Sequence, residues 1–392
     1  MPALPADVVL LHIGPHKTGT SAVQGAFHLA RPELAQHGVH YAGRRRQPYL
    51  AALAMTGRPG RPGDPAAKSR HWQDLVDEVA AARGRRVVIS SERFADADDG
   101  SIHRIVDALD SSRVHVVVTV RPLAKILPSH WQQSVRNGGT TPYGAWLRRV
   151  LAKTPDASSP FWRRHAHDQL VQRWAAVVGT HNVTVIAVDD TDRLMLMHAF
   201  EQLLALPQGV LVAERDAVNR SLTSGEAEVV RRLNRAYRNR RWPDRIYARM
   251  VRLGAIQGLQ RREPGPDEPP IRTPGWAAQR AGAIGAAAAD AIRAAGVNVV
   301  GDLSALSAAP PTTAGDDGQP TDPLVPASAA AAALITTIEA SRRVRWPQRA
   351  KHRGTTERVL RKARSERRNI AAVDGLTLTR LLARKVTRRL RG

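Results

Sequence analysis

The sequence contains no cysteine, so disulfide bonds and thiolate metal ligands are excluded along all 392 residues. It also lacks a long apolar run. The most apolar late stretch, residues 327–338, consists mostly of alanine and is too short to cross a bilayer, so we expect no transmembrane helix. The 14 histidines form no H-E-x-x-H motif, and we therefore expect no metal site and no metal cofactor.

The start of the sequence does not show the pattern of a secretory leader either. The first apolar strand begins near residue 8, which leaves no room for a charged segment followed by a separate hydrophobic one. We therefore expect a cytoplasmic protein.

Acidic residues are the scarcer charge, with 35 Asp and Glu against 59 Lys and Arg, and the excess is concentrated in residues 341–392. That tail holds 18 basic and 3 acidic residues, a net +15 of the total +24. From Leu376 to Leu390 the spacing of basic and apolar residues predicts a basic amphipathic helix. Such a tail can lie on an anionic membrane at the inner face, pack on the domain, or bind nucleic acid. Nucleic acid is the least favoured partner, because the tail offers little aromatic surface for stacking.

An apolar strand near the start of the chain runs directly into a loop of small residues. Residues 8–21 read Val-Val-Leu-Leu-His-Ile-Gly-Pro-His-Lys-Thr-Gly-Thr-Ser. Such a turn before a helix directs backbone N–H groups and the positive helix end at one point, which suits an oxyanion. Gly14 and Gly19 have the spacing of a Walker loop, but Thr20 stands where its lysine should be. An ordinary ATPase or kinase is therefore disfavoured.

A second strand ends at another candidate anion ligand. Residues 114–120 form a β-branched run that predicts a buried parallel strand, and Arg121 and Pro122 follow it. Because proline favours the first position of a helix, we expect a helix from Pro122. Ser129 lies about two turns along it on the same face. Arg121 and Ser129 can therefore converge on one phosphate.

These two elements resemble the 5'-phosphosulfate loop and the 3'-phosphate site of bacterial-type sulfotransferases that use 3'-phosphoadenylyl sulfate (PAPS). A softer resemblance extends to Asn219-Arg220-Ser221-Leu222 and covers roughly the first 240 residues. It implies an enzyme with a P-loop-like sulfotransferase fold, PAPS as donor and a carbohydrate or glycolipid hydroxyl as acceptor. It also implies a donor site made of Pro15, His16, Lys17, Thr18, Gly19, Thr20, Ser21, Arg121 and Ser129.

Strand and helix patterns alternate along the chain, which predicts a three-layer α/β fold with a parallel sheet between helices. The loops after Ile13, Ser90 and Val120 should then lie at the same edge of the sheet. The stretch 43–68, rich in glycine, proline and arginine, predicts a loop. We expect a sulfotransferase domain over 1–305, a Pro/Ala-rich linker over 306–340 and the basic helical tail over 341–392.

Sulfuryl transfer needs a charge clamp and a base. Lys17 suits the clamp, because a compact ammonium group can stabilise the leaving oxygen. Glu92 follows a strand at the same edge and resembles the glutamate that takes the acceptor proton in bacterial and heparan-type sulfotransferases. His130 and His16 are the alternatives for this base. Two other functions stay open: a P-loop-like small-molecule kinase without its usual lysine, and a basic nucleic-acid-binding protein.

Overall fold

The computed structural model describes residues 2–56, 65–152, 154–156, 158–192, 194–213, 220–308, 329–330, 333, 336–337 and 340–341. Apart from Ser341, the predicted basic tail lies outside the described residues, as does most of the predicted linker.

The described strands form one sheet with six members in the order β2-β3-β1-β4-β5-β6, and every neighbouring pair is parallel. The strands are β1 (Val9–His12), β2 (Val39–Tyr41), β3 (Arg86–Ser90), β4 (Val114–Val120), β5 (Val183–Ala187) and β6 (Asn298–Val300). The α-helices are α1 (Thr20–Leu29), α2 (Arg31–Gln36), α3 (Tyr49–Met55), α4 (Pro65–Ala81), α5 (Asp99–Ala108), α6 (Leu123–Arg136), α7 (Tyr143–Leu151), α8 (Trp162–His165), α9 (His167–Val178), α10 (Met195–Leu203), α11 (Ser224–Asn239), α12 (Asp244–Tyr247), α13 (Gln257–Arg261) and α14 (Gly275–Ala294). Short 3-10 helices cover Glu92–Asp96, Thr180–Asn182 and Leu303–Ser307, and a π-helix covers Ala248–Ile256.

The predicted α/β fold with a three-layer arrangement is confirmed. Successive residues of a strand point to opposite faces, so β1 contributes to two separate cores. On one face Leu11 packs with residues of α4, α5, α9 and α14, among them Trp174. On the other face Leu10 packs with residues of α1, α2 and α10, among them Phe200.

The central strand β4 has the bounds predicted for it. All seven of its residues are buried, because helices cover the sheet on both faces and parallel strands pair along both edges. Its β-branched sequence suits this environment.

Four elements differ from the expectations. The strands β2 and β6 have three residues each, too few for a visible alternation of apolar and polar positions. The stretch 43–68 was expected to be a loop, and this is wrong for Tyr49–Met55, which forms α3 with Ala51, Ala52 and Leu53 buried. Tertiary contacts select the helix there in spite of the flanking glycine and proline residues. The expected loop is also wrong for the last four residues of the stretch, because α4 begins at Pro65.

The chain divides into two compact units. The first consists of Met1–His130, Tyr143–Ala217 and Thr273–Gln319 and contains the sheet. The second consists of Trp131–Pro142, Val218–Arg272 and Pro320–Gly392. Within the described residues, no helix combines the length and the apolar character that a membrane span requires.

The second unit is built around α11 and a network of ion pairs. A capping box starts α11, with Thr223 and Glu226 each accepting a bond from the other's backbone N–H. Glu226 is completely buried, and Arg220 and Arg262 both bind its carboxylate, each at 2.7 Å. Two cations on one carboxylate compensate the cost of burying it.

Helix α6 begins at Leu123, one residue after the predicted start, and contains Pro128. Proline has no N–H group, so the helix cannot supply the usual bond to the carbonyl of Ala124, four residues earlier. The buried hydroxyl of Thr273 donates to that carbonyl at 2.6 Å. A residue distant in sequence therefore completes the helix that carries Ser129 and His130.

We predict that Thr273→Val lowers the free energy of unfolding by about 1–3 kcal/mol, because it leaves the buried carbonyl of Ala124 without a donor. Thr273→Ser keeps the hydroxyl and is expected to cost less. Denaturant unfolding of the two variants followed by circular dichroism measures the difference. Equal stability of the valine and serine variants would contradict this role.

Candidate functional site

The candidate site lies at the carboxyl edge of the sheet, where the loops after β1, β3 and β4 meet as predicted. Backbone bonds continue beyond the strands: the N–H of Ile13 donates to Val117 at 3.0 Å, and that of Ser91 donates to His12 at 3.1 Å. The N–H of Val188, after β5, donates to Val120 at 2.9 Å. The first residues of these loops are therefore held in register with the strands.

The loop between β1 and α1 turns through two residues with left-handed backbone angles. Lys17 has a φ of 76° and Gly19 a φ of 92°. For a lysine this conformation is uncommon and costs on the order of 1 kcal/mol, which the surrounding contacts must offset. Thr18 supplies such contacts, since its hydroxyl bonds to the carbonyl of Pro15 at 2.8 Å and to the hydroxyl of Thr119 at 2.7 Å.

No side chain caps the start of α1 at Gly19. Thr20 instead donates its hydroxyl to the carbonyl of Gly14 at 3.3 Å, and Ser21 is exposed. The first-turn N–H groups of a helix have no partner within the helix, and this start carries a positive partial charge. The arrangement suits an anionic group bound by Gly19, Thr20 and Ser21.

A buried histidine supports the loop from below. His12 bonds to the hydroxyl of Ser90 through Nδ1 at 2.9 Å and to that of Thr119 through Nε2 at 3.3 Å. Burial lowers the pKa of His12 to about 3, so the ring is neutral at physiological pH. Any Cβ at Gly14 would lie 2.2 Å from Oγ1 of Thr119 and 2.4 Å from Nε2 of His12, so only glycine fits there.

Arg121 follows β4 and points towards the loop. Its Nη1 donates to the carbonyl of Lys17 at 3.4 Å, and its Nη2 lies 2.8 Å from Asp190. Lys125, in the first turn of α6, lies 2.7 Å from the same carboxylate. Partial burial raises the pKa of Asp190, but hydrogen bonds from Lys125 and Arg121 outweigh it and hold the pKa below its ordinary value.

Asp190 was not predicted from the sequence. Its one signal was its position just after the carboxyl end of β5, where an acid can meet a strand-end arginine.

Ser129 and Arg121, the two predicted ligands of the 3'-phosphate, are not in direct contact with each other. Ser129 is half-buried on α6, and among the described residues no hydrogen bond links it to Arg121. The prediction that the two converge on one phosphate stays a prediction.

Glu92 is hydrogen-bonded to α1, the helix that follows the Lys17 loop. It begins the 3-10 helix Glu92–Asp96, which Ser91 caps. Gln24 of α1 donates to Oε2 of Glu92 at 3.2 Å and to the carbonyl of Ser90 at 3.3 Å. Glu92 is half-buried and keeps solvent access. These contacts bring Glu92 to the side of α1, close to the start of this helix.

His130 occupies a different environment, among aromatic rings. Its ring centroid lies 4.9 Å from that of Phe161, 5.3 Å from that of His165 and 5.9 Å from that of Trp146. The ring of His165 is fully buried. Its pKa lies well below the ordinary value because of burial, with further lowering by the nearby His130, His167 and His16. His16 and His130 are therefore both close to His165.

The sequence did not indicate His165 and His167 as part of this edge. Burial lowers the pKa of His167 to about 4. Both rings line a cavity with space for about one water molecule, and Arg121 lines it too. The position of these two histidines next to Arg121 could not be predicted from the spacing of residues in the sequence, because the residues around the cavity come from distant segments.

A buried ion pair connects the segment of Glu92 with the segment of His165. Asp96, at the end of the 3-10 helix of Glu92, binds Arg164, which precedes His165. Arg93 lies 3.7 Å from the same carboxylate. Within the described ranges, no group of three or more His, Asp and Glu side chains is placed to hold a metal ion.

Comparisons with known proteins give one structural likeness. No family model matches the chain, and no curated protein matches it. Among solved structures, it is similar to a sulfotransferase from Alicyclobacillus acidocaldarius, with a TM-score of 0.37 and 18% identity. The match covers 54% of this chain and 85% of that one. No residue role is transferred from it, so the functional assignment depends on the motifs and contacts of this chain.

We predict that the buried imidazole of His12 makes the protein acid-sensitive. The unfolded chain binds a proton at His12 below pH 6.5, whereas the folded chain does so only near pH 3. Stability is therefore lost as the pH falls through this window, by roughly 1.4 kcal/mol per pH unit from this group. In denaturant unfolding at several pH values, His12→Asn should flatten the slope by that amount. Ser90→Ala removes a partner of His12 but keeps the imidazole, so it should lower stability and leave the slope; equal slopes for all three proteins would contradict the assignment.

Proposed function

We propose that the protein transfers the sulfuryl group of PAPS to a hydroxyl of a carbohydrate or glycolipid acceptor. The observation that supports this most directly is the contact at 3.4 Å between Arg121 and the backbone of Lys17. It joins the loops after β1 and β4, so that two basic residues serve one edge of the sheet. A donor with a phosphosulfate and a separate phosphate on one nucleotide needs two such anion sites.

In this proposal the start of α1 binds the phosphosulfate. The backbone of Gly19, Thr20 and Ser21 directs N–H groups at its oxygens, while Arg121 and Ser129 bind the 3'-phosphate. Lys17 stabilises the bridging oxygen, on which negative charge grows as its bond to sulfur breaks and the acceptor oxygen bonds to sulfur. The left-handed backbone at Lys17 fixes where that side chain leaves the loop.

Asp190 has a defined part in the same proposal. In the structure it binds both Arg121 and Lys125, so a carboxylate holds the guanidinium in place. A bound phosphate must share Arg121 with Asp190 or replace it. Asp190 therefore acts as a positioning residue for Arg121.

Glu92 is the base that we favour for the acceptor proton. Its contact with Gln24 keeps the carboxylate beside α1, and the group remains partly open to solvent. His130 is the alternative, followed by His16. Both rings lie close to His165, whose imidazole is kept neutral by burial.

The membrane and localisation expectations form part of this proposal. An acceptor carried by a lipid would meet the enzyme at the inner membrane face, held there by the basic tail 341–392.

We predict different losses for the two basic residues. Lys17→Ala should lower turnover by a factor on the order of 10² or more with a smaller change in donor affinity, because the charge that it stabilises grows in the transition state. Arg121→Ala should instead weaken binding of adenosine 3',5'-bisphosphate by roughly 1.5–3 kcal/mol. Calorimetry and transfer of labelled sulfuryl groups measure the two effects.

Arg104→Ala, which removes an exposed arginine on α5, is the matched control and should change neither quantity. The proposed function is wrong if the protein binds ATP but not adenosine 3',5'-bisphosphate. Intact turnover with reduced donor affinity in Lys17→Ala would overturn the role of that lysine.

The base is tested by comparing Glu92→Gln with His130→Asn. Glutamine can still accept the bond from Gln24 but cannot accept a proton, so turnover should fall while donor affinity stays nearly unchanged. His130→Asn should retain turnover if Glu92 is the base. Full activity of Glu92→Gln would move the role to His130 or His16.

A further inference from the structure

Three arginines of the second unit gather around the ring of Tyr247. The guanidinium carbon of Arg252 lies 6.0 Å from the ring centroid. A Cβ placed on Gly138 would lie 3.7 Å from Cζ of Tyr247 and 3.8 Å from Nη2 of Arg238. The hydroxyl of Tyr247 lies 3.5 Å from the carbonyl of Arg136. The side chains of Arg238 and Arg252 and the backbone of Arg136 therefore meet at this ring, and the charge of Arg252 also acts on the side chain of Arg136. The three residues belong to three different segments.

The place is rigid, because hydrogen bonds fix both Tyr247 and the turn beside it. The hydroxyl of Tyr247 donates to Oδ1 of Asn234 at 2.6 Å. The amide nitrogen of Asn234 donates to the carbonyls of Val135 and Gly139 at 2.7 and 2.8 Å. Asn234 is completely buried, so the turn from residue 135 to 139 is held in one conformation. Gly138 permits this turn with a φ of 92°.

The three cations have no compensating acid among the described residues. No ion pair joins Arg136, Arg238 or Arg252 to a described carboxylate. Burial lowers the pKa of Arg136, and the positive charge of Arg252 lowers it further. Asp244 is the exposed acid in this region, and its charge acts on the neighbouring ring of Tyr237. The positive charges of Arg136 and Arg252 repel one another, and a bound anion would relieve the repulsion.

The surrounding surface is also positively charged. From residue 232 to 261 the described side chains include eight exposed arginines, against one exposed acid. They are Arg232, Arg235, Arg238, Arg240, Arg241, Arg249, Arg252 and Arg261. Such a surface attracts anions over a distance comparable to the Debye length.

We propose that Arg136, Arg238 and Arg252 form a binding site for an oxyanionic group, a phosphate or a sulfate. Guanidinium groups bind these ions with two parallel N–H bonds, and three of them can surround one tetrahedral anion. The site uses no residue of the Lys17 loop and does not depend on the proposed function. A sulfated or phosphorylated ligand and a phospholipid headgroup share the chemistry that it recognises.

Calorimetric titration of the full chain with sodium sulfate tests the site, with sodium chloride of equal ionic strength as reference. Arg238→Gln and Arg252→Gln change exposed residues, and each should weaken sulfate binding about tenfold. Arg235→Gln removes the same charge one turn away on α11 and should change it less than twofold. All these variants keep the Lys17 loop, so any sulfate bound there contributes the same heat in each titration. A difference in sulfate affinity between the variants therefore comes from the second unit. Equal affinities for the wild type and all three variants overturn the proposal.

The source of the oxyanion is distinguished by vesicles. Wild type and variants are sedimented with equimolar phosphatidylglycerol and phosphatidylcholine, and with phosphatidylcholine alone. Selective loss of sedimentation in Arg238→Gln and Arg252→Gln, relative to Arg235→Gln, supports the site with a lipid headgroup as its ligand. Sulfate binding that depends on these arginines, without a matching effect on vesicles, supports it with a ligand free in solution. If Arg235→Gln weakens binding as much as Arg238→Gln and Arg252→Gln do, in both the sulfate and the vesicle assay, the proposal is wrong.

Discussion

The hydroxyl of Thr119 holds the loop after β1 against the end of the sheet. It bonds to Thr18 in the loop and to His12 in β1. Because Gly14 passes so close to Thr119 and His12, the backbone has no room to move inward. Lys17, with its left-handed backbone angle, directly precedes Thr18 and so lies next to this contact. The geometry of the candidate anion site thus depends on packing inside the sheet.

A single neutral histidine makes this packing possible. Protonated imidazole carries two N–H donors and a charge, whereas neutral His12 can accept at one nitrogen and donate at the other. Its partners are hydroxyl groups, which can adapt as donor or acceptor. The neutral form therefore satisfies all these buried polar atoms.

Much of the fold could be predicted because short stretches of sequence determine it. The β-branched run of β4 and the loop residues 14–21 needed only neighbours in sequence to be recognised. Asp190 and His165 could not be found in this way, since their partners lie far away in the chain. Asp190 meets Arg121 only because β4 and β5 are adjacent in the sheet. The three-residue strands β2 and β6 were missed for a related reason, since pairing and not propensity makes them strands.

The bond from Thr273 to Ala124 spans 149 residues of sequence. Synthesis proceeds from the N-terminus, so β1, β3 and β4 leave the ribosome long before Thr273 does. Until then the turn of α6 next to Pro128 lacks one of its hydrogen bonds. β6 also arrives late and adds the last edge of the sheet beside β5. The helix that carries Ser129 and His130 therefore reaches its final form only after most of the first unit has been made, and a nascent chain that ends before Thr273 would hold an unfinished candidate site.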